Sequence, residues 1–138
     1  MTQKRIMIVD DSGSLRTIIK NYLVQGFPDA VFYSAENGDL AERMVQEQAV
    51  FGEPIDVIIL DWMMPEVSGY ELLKRIRSVA AFSKLPKVIM LTAETDPAQV
   101  EACLKYHVEA YLTKPFSQQQ ITDAVKSVLS MEELKNAV

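Results

Sequence analysis

The sequence predicts a single-domain, doubly wound α/β fold around a five-stranded parallel sheet, and three observations predict it. Short apolar runs recur along the chain and end at polar breaks, the pattern of strands buried on both faces. The segments between them carry apolar residues at helical spacing. Strand and helix candidates alternate in five successive units, and that alternation implies a parallel sheet with helices on both sides.

Ile6–Val9 reads as the first strand, and Leu15, Ile18, Ile19, Tyr22 and Leu23 as one face of the helix after it. Gly26 and Pro28 stop that helix. Ala30–Ser34 reads as the second strand, and Leu40, Ala41, Met44 and Val45 mark a second helix that ends before Gly52 and Pro54. Val57–Leu60 is the third strand, followed by a loop through Pro65 and a helix carrying Tyr70, Leu72, Leu73 and Ile76. After the fourth strand, Val88–Leu91, Asp96-Pro97 supplies an N-cap with proline at the first helical position. Val100, Cys103 and Leu104 are expected to face inward from that helix. Ala110–Leu112 is a short fifth strand, and Ser117 with Gln120 forms a capping-box pattern ahead of Ile121, Ala124, Val125, Val128 and Leu129.

A chain of 138 residues favours one domain. The domain is expected over residues 1–130, with 131–138 extending the last helix or fraying, and no output domain. A net charge of −5 argues against nonspecific nucleic-acid binding, which needs a basic surface. The apolar stretch after Lys4-Arg5 is short and ends in aspartates, so it is neither a signal peptide nor a membrane span. The lone Cys103 has no disulfide partner within the chain, and a cytoplasmic location is expected. Cys103 reads as a small core residue, and the set Met7, Met44, Met63, Met64 and Met90 as mostly core filler.

Three aspartates stand out. Asp10 and Asp11 close the first strand and Asp61 closes the third. Ligands of open α/β sheets bind beyond the carboxyl ends of the strands, so these carboxylates can meet at one edge. Together they would repel unless protons, a cation or a lysine compensated them. That points to a site for Mg²⁺ and a phosphoryl group. Taken singly, the same aspartates also fit a solvated turn or a helix cap.

Further features fall at other strand ends. Asp10-Asp11-Ser12, Asp61-Trp62-Met63-Met64-Pro65, Thr92-Ala93-Glu94 and Tyr111-Leu112-Thr113-Lys114-Pro115-Phe116 resemble, in order and in place, the motifs of response-regulator receiver domains, most closely those of the chemotaxis branch. The similarity runs from Lys4 to about Leu129. It implies a flavodoxin-like (βα)5 fold with strand order 2-1-3-4-5. It further implies that Asp61 accepts a phosphoryl group from a histidine, a carboxylate acting as covalent nucleophile. Asp11 and Asp61 would bind Mg²⁺ directly, Asp10 mainly through water, and the Met63 carbonyl would complete the protein ligands. Lys114 would contact a phosphoryl oxygen, with a cis bond before Pro115. Thr92 would donate its hydroxyl, and the backbone N–H groups of Met63 and Ala93 would complete the cradle. Thr92 and Tyr111 would form the switch that reshapes the face of the fourth helix, fifth strand and fifth helix. The implied partners are a histidine kinase or histidine phosphotransfer protein and a downstream target such as the flagellar motor switch. On this reading the chain catalyses its own phosphorylation and slow dephosphorylation rather than turning over a substrate.

Two departures from the pattern matter. Met63 stands where the chemotaxis type carries asparagine, and a thioether cannot help to orient attacking water. His107 stands where the family usually has glycine, a place where a helix commonly ends on a left-handed residue, so either His107 bears a modest strain or the helix ends differently. The functional alternative is a phosphorelay intermediate or phosphate sink in another two-component pathway. An aspartate-nucleophile phosphatase fits less well, because such enzymes place nucleophile and acid two apart after the first strand, whereas Asp10 and Asp11 are adjacent. Trp62, next to the acceptor, is a natural fluorescence reporter of Mg²⁺.

Overall fold

A computed structural model describes residues 3–93 and 96–137. Glu94 of the Thr92-Ala93-Glu94 motif and Val138 at the end of the tail lie outside the described residues. The chain runs β1 (Arg5–Val9), α1 (Gly13–Gly26), β2 (Val31–Ala35), α2 (Gly38–Val50), β3 (Val57–Asp61), α3 (Gly69–Arg77), a 3₁₀ turn (Ala80–Phe82), β4 (Lys87–Thr92), α4 (Pro97–Leu104), β5 (Ala110–Thr113) and α5 (Gln118–Ala137). The five strands are parallel in the order β2-β1-β3-β4-β5, the expected flavodoxin-like arrangement. The chain leaves β1 toward β2 on one side and returns to β3 on the other, which puts the topological switch point between β1 and β3.

Alternation of side chains along the strands divides the core in two. Met7, Val9, Ile58, Leu60, Val88 and Met90 face α2 and α3. Ile6, Ile8, Val57, Ile59, Ile89 and Leu91 face Ile19 and Leu23 of α1 and Ile121, Val125 and Val128 of α5. Both faces of β1, β3 and β4 are covered, which is why their sequences are near-continuous apolar runs. β2 is an edge strand and only partly buried. It runs one residue later than expected because Ala30 belongs to a turn, its N–H donating to the Phe27 carbonyl.

Local chemistry sets the helix starts. Ser12, Asn37, Ser68 and Asp96 cap α1, α2, α3 and α4 with side-chain acceptors. At α5 the capping box closes in both directions: the Ser117 N–H donates to Gln120 Oε1 at 2.8 Å and the Gln120 N–H to Ser117 Oγ at 3.1 Å. The last helix continues through Ala137. His107 takes a left-handed backbone, φ 58°, after the end of α4.

Three sequence expectations are corrected. Leu104 faces solvent at 61% exposure; α4 rests on the core by a narrow stripe centred on Cys103, and the next residue lies about 100° around the helix. Ile18 is likewise exposed, because Ile19 and Leu23 carry the buried stripe of α1. Met63 is not core filler but 70% exposed, whereas Met7, Met64 and Met90 are buried. Among the described residues no helix is long and apolar enough to cross a membrane.

Candidate functional site

The register of the sheet brings the site together. Val9 lies beside Leu60 and Asp61 beside Leu91, so the residues closing β1, β3 and β4 emerge side by side. Asp10, Asp61 and Thr92 are buried to 2%, 3% and 2% exposure, while Asp11 is exposed at the mouth. One carboxylate oxygen from each of Asp10, Asp11 and Asp61 lies within 4.8 Å of the others. Lys114 enters from the end of β5, its Nζ 3.0 Å from Asp61 Oδ1 and 3.6 Å from Asp10 Oδ2. The Lys114–Pro115 bond is cis. The Lys114 N–H donates to the Thr92 carbonyl at 2.7 Å, tying the lysine's backbone to the end of β4.

The electrostatics are unbalanced. One ammonium faces three carboxylates. Burial pushes the Asp10 carboxyl above its usual range, and the charges of Asp61 and Asp11 push the same way. The Ser12 N–H on Asp10 Oδ1 at 2.8 Å and the Lys114 charge only partly oppose this. Asp10 Oδ2 is buried and accepts no hydrogen bond among the described residues. A buried carboxylate oxygen without a donor, inside an all-oxygen donor set, fits a hard divalent cation that keeps some of its waters.

The remaining predicted residues surround this pocket. Ala93 follows Thr92 at the surface, and the exposed Met63 lies two residues beyond Asp61. Tyr111 is half-buried in β5, its hydroxyl 3.5 Å from Gln99 Oε1 on α4. Trp62 stacks on Tyr70 with ring centroids 5.2 Å apart. Cys103 sits in the core, where burial pushes its thiol up to about 11 and leaves it unreactive.

Two contributors escaped the sequence reading. Gly69 starts α3 with its N–H on the Trp62 carbonyl at 2.9 Å, and a Cβ there would lie 2.2 Å from the Asp61 carbonyl oxygen. Only glycine lets the helix approach the strand end so closely. Its signal was available, a glycine directly after the cap Ser68. Arg16 donates from Nη1 to the Asp10 carbonyl and from Nε to Ser34 Oγ; an arginine on an exposed helix start carries no local signal of this.

Comparison with known proteins places these features in one family. The response regulator receiver domain model matches residues 6–126. The chain is 36% identical over 130 residues to the chemotaxis protein CheY1 of Helicobacter pylori, covering 94% of this chain and 99% of that protein. It is 37% identical over 125 residues to a CheY homologue of Campylobacter jejuni, covering 91% and 92%. The solved structure of the Vibrio cholerae chemotaxis protein CheY4 superposes with a TM-score of 0.81 at 26% identity, over 93% of this chain and all of that one.

Proposed function

The chain belongs to the response regulator receiver domain family, and on that premise we propose that it accepts a phosphoryl group from a phosphohistidine on Asp61 and signals by changing its partner-binding face. As a CheY-like receiver it works in two-component signalling. The observation that carries the finer reading is the convergence of Asp10, Asp11 and Asp61 within 4.8 Å, with Lys114 3.0 Å from Asp61.

An Asp61 carboxylate oxygen forms the new bond to phosphorus as the phosphorus–nitrogen bond to the donor imidazole breaks, and the imidazole leaves with the electron pair. Lys114, already paired with Asp61, moves to a phosphoryl oxygen as a point charge. The Thr92 hydroxyl and the N–H groups of Met63 and Ala93 complete the cradle, so catalysis is positioning and charge neutralisation. Mg²⁺, held by Asp11, Asp61 and the Met63 carbonyl with Asp10 acting through water, would neutralise phosphoryl oxygens when bound. The added charge then draws Thr92 toward Asp61, and Tyr111 leaves its position beside Gln99 and turns inward. A partner that prefers the new α4–β5–α5 face stabilises it in return.

The likeness to chemotaxis proteins over nearly their whole length supports a unit of residues 1–130 that acts by binding, in the cytoplasm, with a histidine kinase or histidine phosphotransfer protein upstream and the flagellar motor switch downstream. Incubation with acetyl phosphate and Mg²⁺ should add one phosphoryl group to the wild-type chain and none to Asp61→Asn. An unlabelled wild type overturns the reading.

One observation favours a second role, as relay intermediate or phosphate sink. Met63 presents an exposed thioether beside the acceptor, with no group to orient water. Phospho-Asp61 is therefore long-lived, and Met63→Asn should shorten its half-life about tenfold, the effect on the barrier of one orienting hydrogen bond to water. An unchanged decay would remove this role for Met63.

A further inference from the structure

We propose that Arg16 is a positioning residue for the acidic site: it holds the peptide between Asp10 and Asp11, and through it sets Mg²⁺ affinity. The proposal rests on the receiver reading above. Arg16 lies in the first turns of α1, and its side chain folds back toward the helix start, over Gly13. Nη1 donates to the Asp10 carbonyl at 2.5 Å, and Nε donates to Ser34 Oγ on β2 at 2.8 Å. The rigid guanidinium fork therefore straps β1's exit to the neighbouring strand.

That carbonyl belongs to the peptide unit from which both carboxylates diverge. The Asp10 side chain precedes it and the Asp11 side chain follows it, so rotating this one plane moves the two acids relative to each other. The other anchors of Asp10 are its N–H on the Ala35 carbonyl at 3.2 Å, its Oδ1 accepting from the Ser12 N–H at 2.8 Å, and Lys114 Nζ 3.6 Å from its Oδ2. None of these touches the carbonyl itself. Outer contacts of this kind typically matter tenfold or more for metal affinity.

Charge alone predicts the opposite sign. A guanidinium near a cation site repels the cation, so deleting it should tighten Mg²⁺ binding. Positioning predicts weaker binding, and the sign of the change separates the two.

The test is a titration of the full chain with Mg²⁺ alone, followed by Trp62 fluorescence and by the amide shifts of Asp11 and Ser12. Arg16→Gln should weaken Mg²⁺ binding about tenfold, and Arg16→Lys, with the charge kept but the fork lost, about threefold. Ser34→Ala, which keeps the guanidinium and removes one of its anchors, should weaken binding roughly twofold and serves if the Arg16 variants do not fold. Labelling of Asp61 at saturating Mg²⁺ should return to within about twofold of wild type, because the reacting groups are intact. Variants that bind Mg²⁺ as tightly as wild type, or more tightly, overturn the proposal alone. A wild type that neither responds to Mg²⁺ nor is labelled overturns the receiver reading and this proposal with it.

Discussion

At the N-terminal edge of the sheet the buried charges of Arg77, Glu109 and Lys87 have partners; at the C-terminal edge, among the described residues, two buried carboxylates and an exposed one share a single lysine. Arg77, buried at the end of α3, donates to the carbonyls of Tyr106, Phe82 and His107 at 2.8, 3.1 and 2.9 Å and lies 3.7 Å from Glu109. Glu109 accepts the Val88 N–H at 2.7 Å, and buried Lys87 donates to the Val128 carbonyl at 3.0 Å. Burial lowers the Arg77 pKa and raises that of Glu109, and each charge works against the other's shift. This edge fastens α3, the 3₁₀ turn and the α4–β5 loop together. Among the described residues the opposite edge leaves Asp10 Oδ2 without a donor. The first edge is largely completed by folding, with Arg5 Nε buried there but its terminal nitrogens paired; the second is left for a ligand to finish, which is how stability is spent at functional sites.

The largest expected effect breaks the finished edge. Arg77→Ala strands Glu109 and three carbonyls and should cost about 3–5 kcal/mol, read as a melting temperature roughly 10–15 °C lower. Mg²⁺ affinity at the far edge should stay within about twofold, since distant sites act independently. Gly69→Ala reverses that pattern. Its Cβ meets the Asp61 carbonyl, so it should cost about 2–3 kcal/mol in chemical denaturation and disturb Mg²⁺ binding as well. The smallest effect sharpens the comparison. His107→Gly, at φ 58°, should stabilise by about 0.5–1 kcal/mol and leave labelling of Asp61 unchanged.

The legible parts of the sequence were the local ones. Strand runs, caps at Ser117 and Asp96, and aspartates at the ends of β1 and β3 are each written within a few residues. At His107 the resemblance left two outcomes open, a strained left-handed residue or a different helix end, and the structure shows the first. Arg16 and Arg77 were not legible, since their partners are backbone carbonyls and a hydroxyl brought in by the tertiary fold. Leu104 was misjudged because spacing places residues on a helix but does not say how wide a stripe the sheet covers.

The unfinished edge makes a claim about pH and metal together. Asp10 is raised in the folded chain, so the fold holds more protons than the unfolded chain in this window. Metal-free stability should therefore fall as pH rises from about 4 through the raised value. Asp10→Asn should remove this part of the pH dependence, leaving that of Glu109, which has the same sign. The deciding measurement is a melt of wild type and Asp10→Asn at neutral pH, with and without saturating Mg²⁺. Without metal the variant should melt about 3–5 °C higher, the equivalent of roughly 1 kcal/mol. With Mg²⁺ the wild type should close or reverse that gap, because only it keeps the full site. A variant that melts lower without metal, or a wild type indifferent to Mg²⁺, would contradict the account.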